Sequence, residues 1–229
     1  MNLLLFKNNQ LISHSTDKLT RITGRQLQQL IQVQRCSAGD TVRVGEIDGL
    51  MGTGTIIELN DEQALLEIDL HSPAPPPTPL TLVLAMPRPK MLRRSLQTIA
   101  AMGVKQIYLI NSSRVEKSFW QTPFLKSEAL EEEFILGLEQ ARDTTMPELH
   151  IRKRFKPFVE DELPAIIKGR KNLLAHPVTE TRCPIDIQQP ATLAIGPEGG
   201  FIPYEVELLS AAGFETVHIG PRILRVETA

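Results

Sequence analysis

Two glycine-containing segments near the C-terminus have residue types that could hold a flat ligand. The first, Gly196-Pro197-Glu198-Gly199-Gly200, follows an apolar run typical of a strand and precedes a predicted helix. Glycine accepts a positive φ and has no Cβ, so its backbone can approach a ligand closely. Taken alone, this motif fits a plain strand-to-helix turn equally well. The second segment, Gly220-Pro221-Arg222-Ile223-Leu224-Arg225, follows that helix and adds two guanidinium groups.

In order, spacing and residue type, residues 195–229 closely resemble the RsmE family of 16S ribosomal RNA uridine-N3 methyltransferases, which belongs to the SPOUT superfamily. A weaker resemblance extends over nearly all of the chain. Arg35-Cys36-Ser37-Ala38-Gly39-Asp40 is similar to a motif of the family's PUA-like barrel, and Lys90-Met91 matches the start of its first α/β helix. The resemblance implies an enzyme that uses S-adenosyl-L-methionine as its cofactor.

The resemblance also implies a fold and an assembly. The fold class is α/β, with a C-terminal SPOUT domain that threads through a loop to form a trefoil knot, after a small PUA-like β-barrel that binds RNA. The functional unit is a homodimer. Three loops near the knot form the cofactor pocket, and by position their cofactor-binding residues are Ala175, His176, Pro177, Gly196, Pro197, Glu198, Gly199, Gly200, Ile219, Gly220, Ile223 and Leu224.

Methyl transfer from a sulfonium is an in-line displacement, so the enzyme must align the acceptor and exclude water. The N3 atom of uracil lies on the Watson-Crick edge and must lose a proton, so the base has to be unpaired or turned outward. Arg222 and Arg225 are candidates to hold a phosphate or to stabilise the developing uracil anion. The alternative is a structural ion pair with one of the nearby carboxylates, Glu198, Glu205 or Glu227.

Glu198 is the third catalytic candidate. The alternative role for its carboxylate is to cap a helix N-terminus, which the helix dipole favours. Histidine is a common general base near neutral pH, but the position of His176 before Pro177 favours a backbone role in the cofactor loop. The sequence therefore assigns no general base.

A formal net charge of −2 argues against a protein that holds nucleic acid mainly by nonspecific phosphate contacts. Residues 1–80 contain six basic and nine acidic side chains, so RNA contacts must be local. The RNA-binding candidates are Arg21, Arg25, Arg35, Arg43, Arg88 and Lys90. The resemblance implies 16S rRNA as the partner, in the assembled 30S subunit. The basic runs at 88–94 and 152–156 fit two solvated faces as well as RNA contacts.

Several positions depart from the family's pattern. The family has arginines after the first methionine, a Lys and a Glu late in the first α/β helix, Glu-Arg-Ser after the second strand, and arginines after a Glu-Gln pair. The corresponding residues here are Asn2 to Phe6, Thr98, Ala101, Ser112, Ser113, Arg114, Asp143 and Thr145. Two alternatives stay open: a SPOUT methyltransferase for another RNA or base position, and a catalytically silent RNA-binding homologue. The intact glycine motifs favour an enzyme.

A proline-rich segment at 73–79 predicts a semi-rigid linker between two domains. Before it, residues 1–72 contain β-branched runs at 41–46, 52–59 and 63–69 and one amphipathic helix at 25–34, which predicts a small β-barrel. After it, residues 80–229 alternate strands and helices, which predicts a mainly parallel sheet. The predicted strands are 80–85, 104–110, 172–176, 191–195 and 216–219, and the predicted helices are 90–101, 127–142, 159–168 and 203–212.

The composition places the chain among ordinary globular proteins. Its 229 residues favour two domains, and its 41% hydrophobic and 23% charged residues are typical of a folded, water-soluble protein. No apolar run approaches the roughly 18 residues of a membrane span, and Met1 to Phe6 is predicted as a first strand. Cys36 and Cys183 lack metal-ligand spacing, which predicts two free thiols, no metal site and a cytoplasmic location. The family chain continues with a further helix, so we expect residues after Ala229 in the natural protein.

Overall fold

The chain divides into two units. The computed structural model describes residues 2–14, 17–226 and 228. One unit comprises Met1–Pro76 with Phe134–Met146, and the other comprises Pro77–Glu133 with Pro147–Ala229. The first boundary falls within the proline-rich segment. The sequence did not indicate that residues 134–146, which follow the linker, belong to the first unit.

The first unit is built on a six-stranded, mostly antiparallel sheet. Its strand order is β1-β4-β5-β6-β3-β2, and the pairing of β1 with β4 is parallel. Alternate residues of β6 point into a core that also holds Phe6, Ile22 and Val44. The strands are β1 Leu4–Phe6, β2 Leu11–His14, β3 Asp17–Ile22, β4 Thr41–Glu46, β5 Met51–Leu59 and β6 Ala64–Ser72.

One helical segment covers this sheet. It begins as α1, Gly24–Gln28, and continues as a wider π-helical stretch, Gln29–Gln34. Leu27 and Leu30 are buried in the core. The predicted helix at 25–34 is therefore confirmed in extent, although its second half is wider than an α-helix.

Hydrogen bonds and an ion pair join residues 134–146 to the rest of the first unit. The N–H groups of Asn2 and Leu3 donate to Glu139 O at 3.1 Å, and the Glu139 carboxylate pairs with Arg25 at 2.8 Å. Thr144 Oγ1 donates to Gly49 O at 2.6 Å. Glu139 is almost fully buried, so both of its oxygens must be satisfied, and Gln26 Nε2 supplies the second bond at 2.8 Å.

The second unit is a six-stranded, fully parallel sheet. Its order is β12-β10-β11-β7-β8-β9, and the central strands β7 and β11 are apolar runs buried on both faces, as parallel sheets require. The strands are β7 Leu80–Ala85, β8 Gln106–Ile110, β9 Glu148–Arg152, β10 Lys171–Ala175, β11 Ala191–Ile195 and β12 Glu215–Val217. Its helices are α2 Pro89–Ala101, α4 Phe155–Pro157, α5 Leu163–Ile167 and α6 Pro203–Ala211, whereas α3 Ser127–Ala141 begins in this unit and its residues from Phe134 onward belong to the first.

The predicted parallel sheet and its alternation with helices are confirmed. Strand β9 was not predicted, because this edge strand alternates charged and half-buried residues and resembles a polar run. The predicted helix at 159–168 is confirmed as part of a longer helical segment, which starts earlier and consists of α4, a wider stretch Phe158–Glu162 and α5. Pro164 removes a backbone donor within that helix, which explains the irregularity.

Among the described residues no helix is both long and apolar enough to span a membrane. In the same residues, no group of His, Cys, Asp and Glu side chains is arranged to hold a metal ion. Cys36 and Cys183 are free thiols.

Candidate functional site

Three adjacent strands of the second unit end at the same edge of the sheet. In β10, Ala175 lies opposite Ile195 of β11 on one side and Val217 of β12 on the other. All three strands are parallel, so the loops that follow them leave from neighbouring points. Open α/β sheets bind ligands at this carboxyl edge. The structure therefore brings the three predicted cofactor loops together.

The loop after β10 holds the end of β12 from two sides. His176 N–H donates to Val217 O at 3.0 Å on the β10 side. On the other side, His218 N–H donates to Thr181 O at 3.0 Å, and Cys183 N–H donates to His218 O at 2.8 Å. The C-terminal segment is thus held between β10 and the returning part of its loop.

The His176 side chain makes a contact within its own loop. Its Nδ1 lies 3.2 Å from Val178 N and accepts that N–H. The bond closes a short turn across Pro177 at the start of the loop. This contact supports the backbone role that the sequence favoured for His176.

The glycines after β11 have a structural requirement of their own. A Cβ on Gly196 would lie 3.1 Å from Phe201 N and 3.2 Å from the Phe201 ring, so the loop folds back against this residue. Gly200 has φ +72°, and its N–H closes a turn onto Pro197 O at 2.7 Å. Phe201 is buried and packs near the ring of Phe155 at 6.0 Å. Gly196 therefore fits the plain-turn interpretation, whether or not a ligand binds beside it.

The Glu198 carboxylate caps the helix that follows β7. Its Oε1 accepts the Arg88 N–H at 3.0 Å, and Arg88 is the N-cap residue of α2. A negative charge at a helix N-terminus is favoured by the helix dipole. Glu198 therefore caps a helix N-terminus, as the alternative interpretation of the sequence holds. The capped helix is α2, not α6, which follows the glycine loop.

Glu205 ties two loops of the carboxyl edge together. This carboxylate is 3% exposed and accepts Ser113 N–H at 2.6 Å and Ile202 N–H at 3.0 Å. Ser113 follows β8, whereas Ile202 is the N-cap residue of α6. Next to this link, Arg114 Nη1 donates to Gly199 O. The link to Ser113 was not predicted, although a Glu three residues after a helix N-cap is a known sequence signal for the bond back to the N-cap residue.

Arg222 and Arg225 are exposed and have no side-chain hydrogen bond or ion pair with any residue that the structure describes. Both oxygens of Glu205 bond to backbone N–H groups, and Glu198 Oε1 bonds to Arg88. Glu227, the third partner considered, lies outside the described residues. The ion-pair alternative for the two arginines has no support in the described part of the chain.

The apolar side chains of residues 219–224, the segment that contains Arg222, are also exposed. Ile219 is 67% and Ile223 85% exposed, and Leu224 is 36% exposed. Gly220 lies between them, and a Cβ placed on it would meet no protein atom within 4 Å. Residues 219–224 therefore expose the backbone at Gly220 and several apolar side chains. They do so at the edge of the sheet from which the glycine loop also leaves.

The predicted RNA-binding residues are divided between the two units. Arg21, Arg35 and Arg43 in the first unit are exposed, and so are Arg88 and Lys90 in the second. Arg25 is instead committed to the ion pair with Glu139.

The two basic runs are partly used within the protein. Arg93 pairs with the buried Glu133 and lies 4.8 Å from the Phe124 ring centroid. Arg152 pairs with Glu162 at 2.6 Å. In each basic run at least one arginine is therefore paired within the protein and is not a free cation for RNA.

Comparison with known proteins adds a family and several relatives. A family model described as an RNA methyltransferase domain matches residues 74–229. The chain is similar to ribosomal RNA small subunit methyltransferase E of Treponema pallidum, with 29% identity over 238 residues that cover 100% of this chain and 87% of the relative. It is also similar to ribosomal RNA small subunit methyltransferase E 1 of Borreliella burgdorferi, with 30% identity over 149 residues, 63% of this chain and 60% of the relative.

Two solved structures have the same fold. Ribosomal RNA small subunit methyltransferase E of Neisseria gonorrhoeae, bound to S-adenosyl methionine, superposes with a TM-score of 0.73 at 22% identity, over 100% of this chain and 93% of that chain. A methyltransferase of Legionella pneumophila with bound SAM gives a TM-score of 0.73 at 24% identity, over 99% of this chain and 92% of that chain.

Replacing Glu205 with Gln should destabilise the second unit by about 2 kcal/mol, because an amide offers one acceptor where two buried N–H groups need acceptors. Urea unfolding should show a lower midpoint with an unchanged slope. Glu207→Gln is the matched control, since Glu207 is exposed on the same helix. Equal midpoints for the two variants would contradict the role of Glu205.

Proposed function

The chain belongs to the RNA methyltransferase family, and we propose that it transfers a methyl group from S-adenosyl-L-methionine to N3 of a uridine in 16S rRNA of the small ribosomal subunit. The resemblance to RsmE seen in the C-terminal motifs is confirmed by the family match and the Treponema pallidum relative. The observation that carries the proposal is the meeting of three loops, after Ala175, Ile195 and Val217, at one edge of the sheet.

The residues at this edge fit the cofactor. A Cβ on Gly200 or Gly220 would meet no protein atom within 4 Å, so the space beside both glycines is open to a ligand. Exposed apolar side chains next to that space suit a flat, largely apolar ring such as adenine. The residues that would hold the cofactor are those of the three loops, Ala175 to Pro177, Gly196 to Gly200, Ile219, Gly220, Ile223 and Leu224.

When bound, S-adenosyl-L-methionine supplies a methyl group on a positively charged sulfur. The protein must hold the acceptor nitrogen in line with that carbon and keep water away. Arg222 and Arg225 have guanidinium groups that no described residue occupies. We assign them to the RNA phosphate and to uracil O2 or O4, where the negative charge grows as N3 loses its proton.

Glu198 has a positioning role in this proposal. Its Oε1 is bonded to Arg88 N–H, which fixes the glycine loop against the start of α2. Its Oε2 has no partner among the described residues and remains for a contact with the ligand. No described side chain is assigned as the general base.

The first unit would bind the RNA as a PUA-like domain, with the proline-rich residues 73–79 as the linker. Its exposed arginines 21, 35 and 43 support this role. The overall charge of −2 provides no general electrostatic attraction to RNA phosphates. A few arginines at defined positions must replace it, which favours a partner with a defined shape. The relatives' name, ribosomal RNA small subunit methyltransferase E, supports the 30S subunit as that partner.

We also propose that the C-terminal segment is threaded as a trefoil knot. From β11 the chain passes to β12 on the far side of β10. His218 is then bonded to Thr181 and Cys183, which lie in the loop that joins β10 to β11. Bonds on both sides of the segment support a path through that loop.

Replacing Gly220 with Val should weaken binding of S-adenosyl-L-methionine at least about tenfold, roughly 1.4 kcal/mol, because the new side chain fills the space beside the loop. Isothermal titration measures the affinity, and thermal unfolding should stay unchanged because no protein atom lies within 4 Å of the added Cβ. Ala165→Val on an exposed face of α5 is the control, since it creates the same isopropyl side chain away from the loops. Parental affinity in Gly220→Val would refute the cofactor site.

Replacing Arg222 with Ala should lower kcat/KM for methyl transfer by roughly 100-fold and leave cofactor affinity unchanged, because it removes a donor to developing charge. The assay transfers labelled methyl groups to small subunits from a strain lacking the enzyme, and nucleoside analysis should identify N3-methyluridine. Arg170→Ala, before the opposite end of β10, is the control. Label found only in transfer RNA, in 23S RNA or at another base position would overturn the substrate.

We propose a homodimer, supported by exposed apolar side chains of the second unit such as Val178, 82% exposed, and Ile223, 85% exposed. Sedimentation at micromolar concentration should give twice the 25.6 kDa chain mass. Val178→Glu should shift the distribution toward the monomer, because a carboxylate in an apolar interface is costly. A parent protein that is active as a strict monomer would contradict the assembly.

A further inference from the structure

A cavity of about 370 Å³ lies within the first unit, and residues of that unit alone line it. This volume falls in the range of small-molecule sites, roughly 300–1,000 Å³. Leu4 and Leu30, which are almost completely buried, line its apolar part. Thr41 and the Asn2 side chain add polar groups, and Asn2 Nδ2 donates to Gln140 O at 2.8 Å, which leaves its Oδ1 as an acceptor.

Two guanidinium groups and no carboxylate line this cavity. Arg43 is on β4 and Arg142 directly follows α3, and both are exposed. Neither side chain has a hydrogen bond or ion pair with a described residue. The nearby Glu139 carboxylate is already bonded to Arg25 and Gln26. The cavity is therefore locally basic within a unit whose acidic residues outnumber its basic ones.

The backbone at Arg142 is also unusual. Its φ is +58°, in the left-handed region, directly after a helix end where glycine is the common residue. Arginine is an uncommon residue at such a position, which it shares among the described residues with Arg35, Asp48 and Asp186 as the non-glycine residues of positive φ. Strained positions of this kind are concentrated at functional sites. The side chain is thus the feature that distinguishes this residue from the glycine that the backbone favours.

Cys36 lines the cavity as a neutral group. Burial raises the pKa of its thiol above the usual value, and the Asp40 carboxylate raises it further. The thiol therefore stays protonated near neutral pH and does not repel an anion. It also provides a chemical probe inside the cavity.

We propose that this cavity binds one phosphate-bearing nucleotide of the RNA substrate, with Arg43 and Arg142 on the phosphate and the base against Leu30 and Cys36. The inference rests on the proposed function, since it takes RNA as the substrate. Two guanidinium groups offer fixed donors to phosphate oxygens. Proteins hold unpaired RNA bases by stacking on flat side chains, Arg guanidinium planes included, and by hydrogen bonds to the base edges, which Asn2 and Thr41 could supply here. This anchor gives the chain a local RNA contact that its net charge does not provide.

The decisive variant is Arg142→Gly, because it removes the guanidinium and gives the backbone its preferred residue. Its thermal unfolding midpoint should equal or exceed that of the parent. Affinity for a fluorescein-labelled single-stranded RNA decamer should fall about tenfold, and the slope of log affinity against log salt should fall by about one. Arg43→Gln should have the same effect on binding. Lys18→Gln removes an exposed charge that does not line the cavity and should change affinity less than about twofold.

Alkylation of Cys36 in a Cys183→Ser background locates the binding. The RNA decamer and uridine monophosphate should each slow alkylation at least about fivefold in the parent and not in Arg142→Gly, since bound ligand covers the thiol. Protection by inorganic phosphate alone to the same degree would reduce the cavity to a simple anion site and overturn the proposal. Unchanged RNA affinity in Arg142→Gly, or an equal loss in Lys18→Gln, would also overturn it.

Methyl transfer to small subunits, measured with the same proteins, separates the two proposals. Protection of Cys36 without any methyl transfer by the parent would refute the enzyme and leave the cavity assignment intact. Methyl transfer without protection would refute the cavity assignment alone.

Discussion

The hydrogen bonds on both sides of Val217 and His218 are the constraint on which the candidate site depends. One side is bonded to β10, and the other to the loop that leaves β10. Without these bonds, the segment that carries Gly220, Arg222 and Arg225 would be free to move away from the glycine loop. A short three-residue strand cannot supply that order by itself, because it makes few ladder bonds. The returning loop adds the missing bonds.

Carboxylates then fix the remaining loops at the same edge. Glu205 joins the loop after β8 to the start of α6, and Glu198 joins the glycine loop to the start of α2. In each case a negative charge accepts N–H groups that the backbone leaves unsatisfied, at a point where two connections meet. The acidic residues near the site are thus mainly positioning groups. This leaves the arginines as the charged side chains available to a polyanionic substrate.

The sequence predicted the α/β arrangement and the parallel sheet because long apolar runs, glycine turns and helix periodicity are local signals. The sequence pattern assigned Ala175, Gly196 and Gly220 to three separate loops. That these loops lie together was predicted only from the family resemblance, because the order of strands in a sheet is not a local property of the sequence. It missed β9, an edge strand without a continuous apolar run, and it missed β3, whose alternating lysine, threonine and arginine resemble a surface loop. Arg88, which bonds to Glu198, lies 110 residues away in the chain, and Ser113, which bonds to Glu205, lies 92 residues away. No local pattern in the sequence could predict either bond. The same limit applies to Arg142, which enters the first unit from beyond the linker.

The inclusion of residues 134–146 in the first unit has a consequence for how the protein is made. On the ribosome the chain emerges from its N-terminus, and the strands β1 to β6 are complete by Ser72. Phe134, Leu138 and Glu139 are buried residues of the first unit, yet they are synthesised only after more than half of the chain. The N-terminal sheet therefore emerges before the residues that bond to Leu3, Arg25 and Gly49 have been synthesised, while the first two strands of the second unit follow. A fragment cut at the proline-rich linker would lack those bonds permanently.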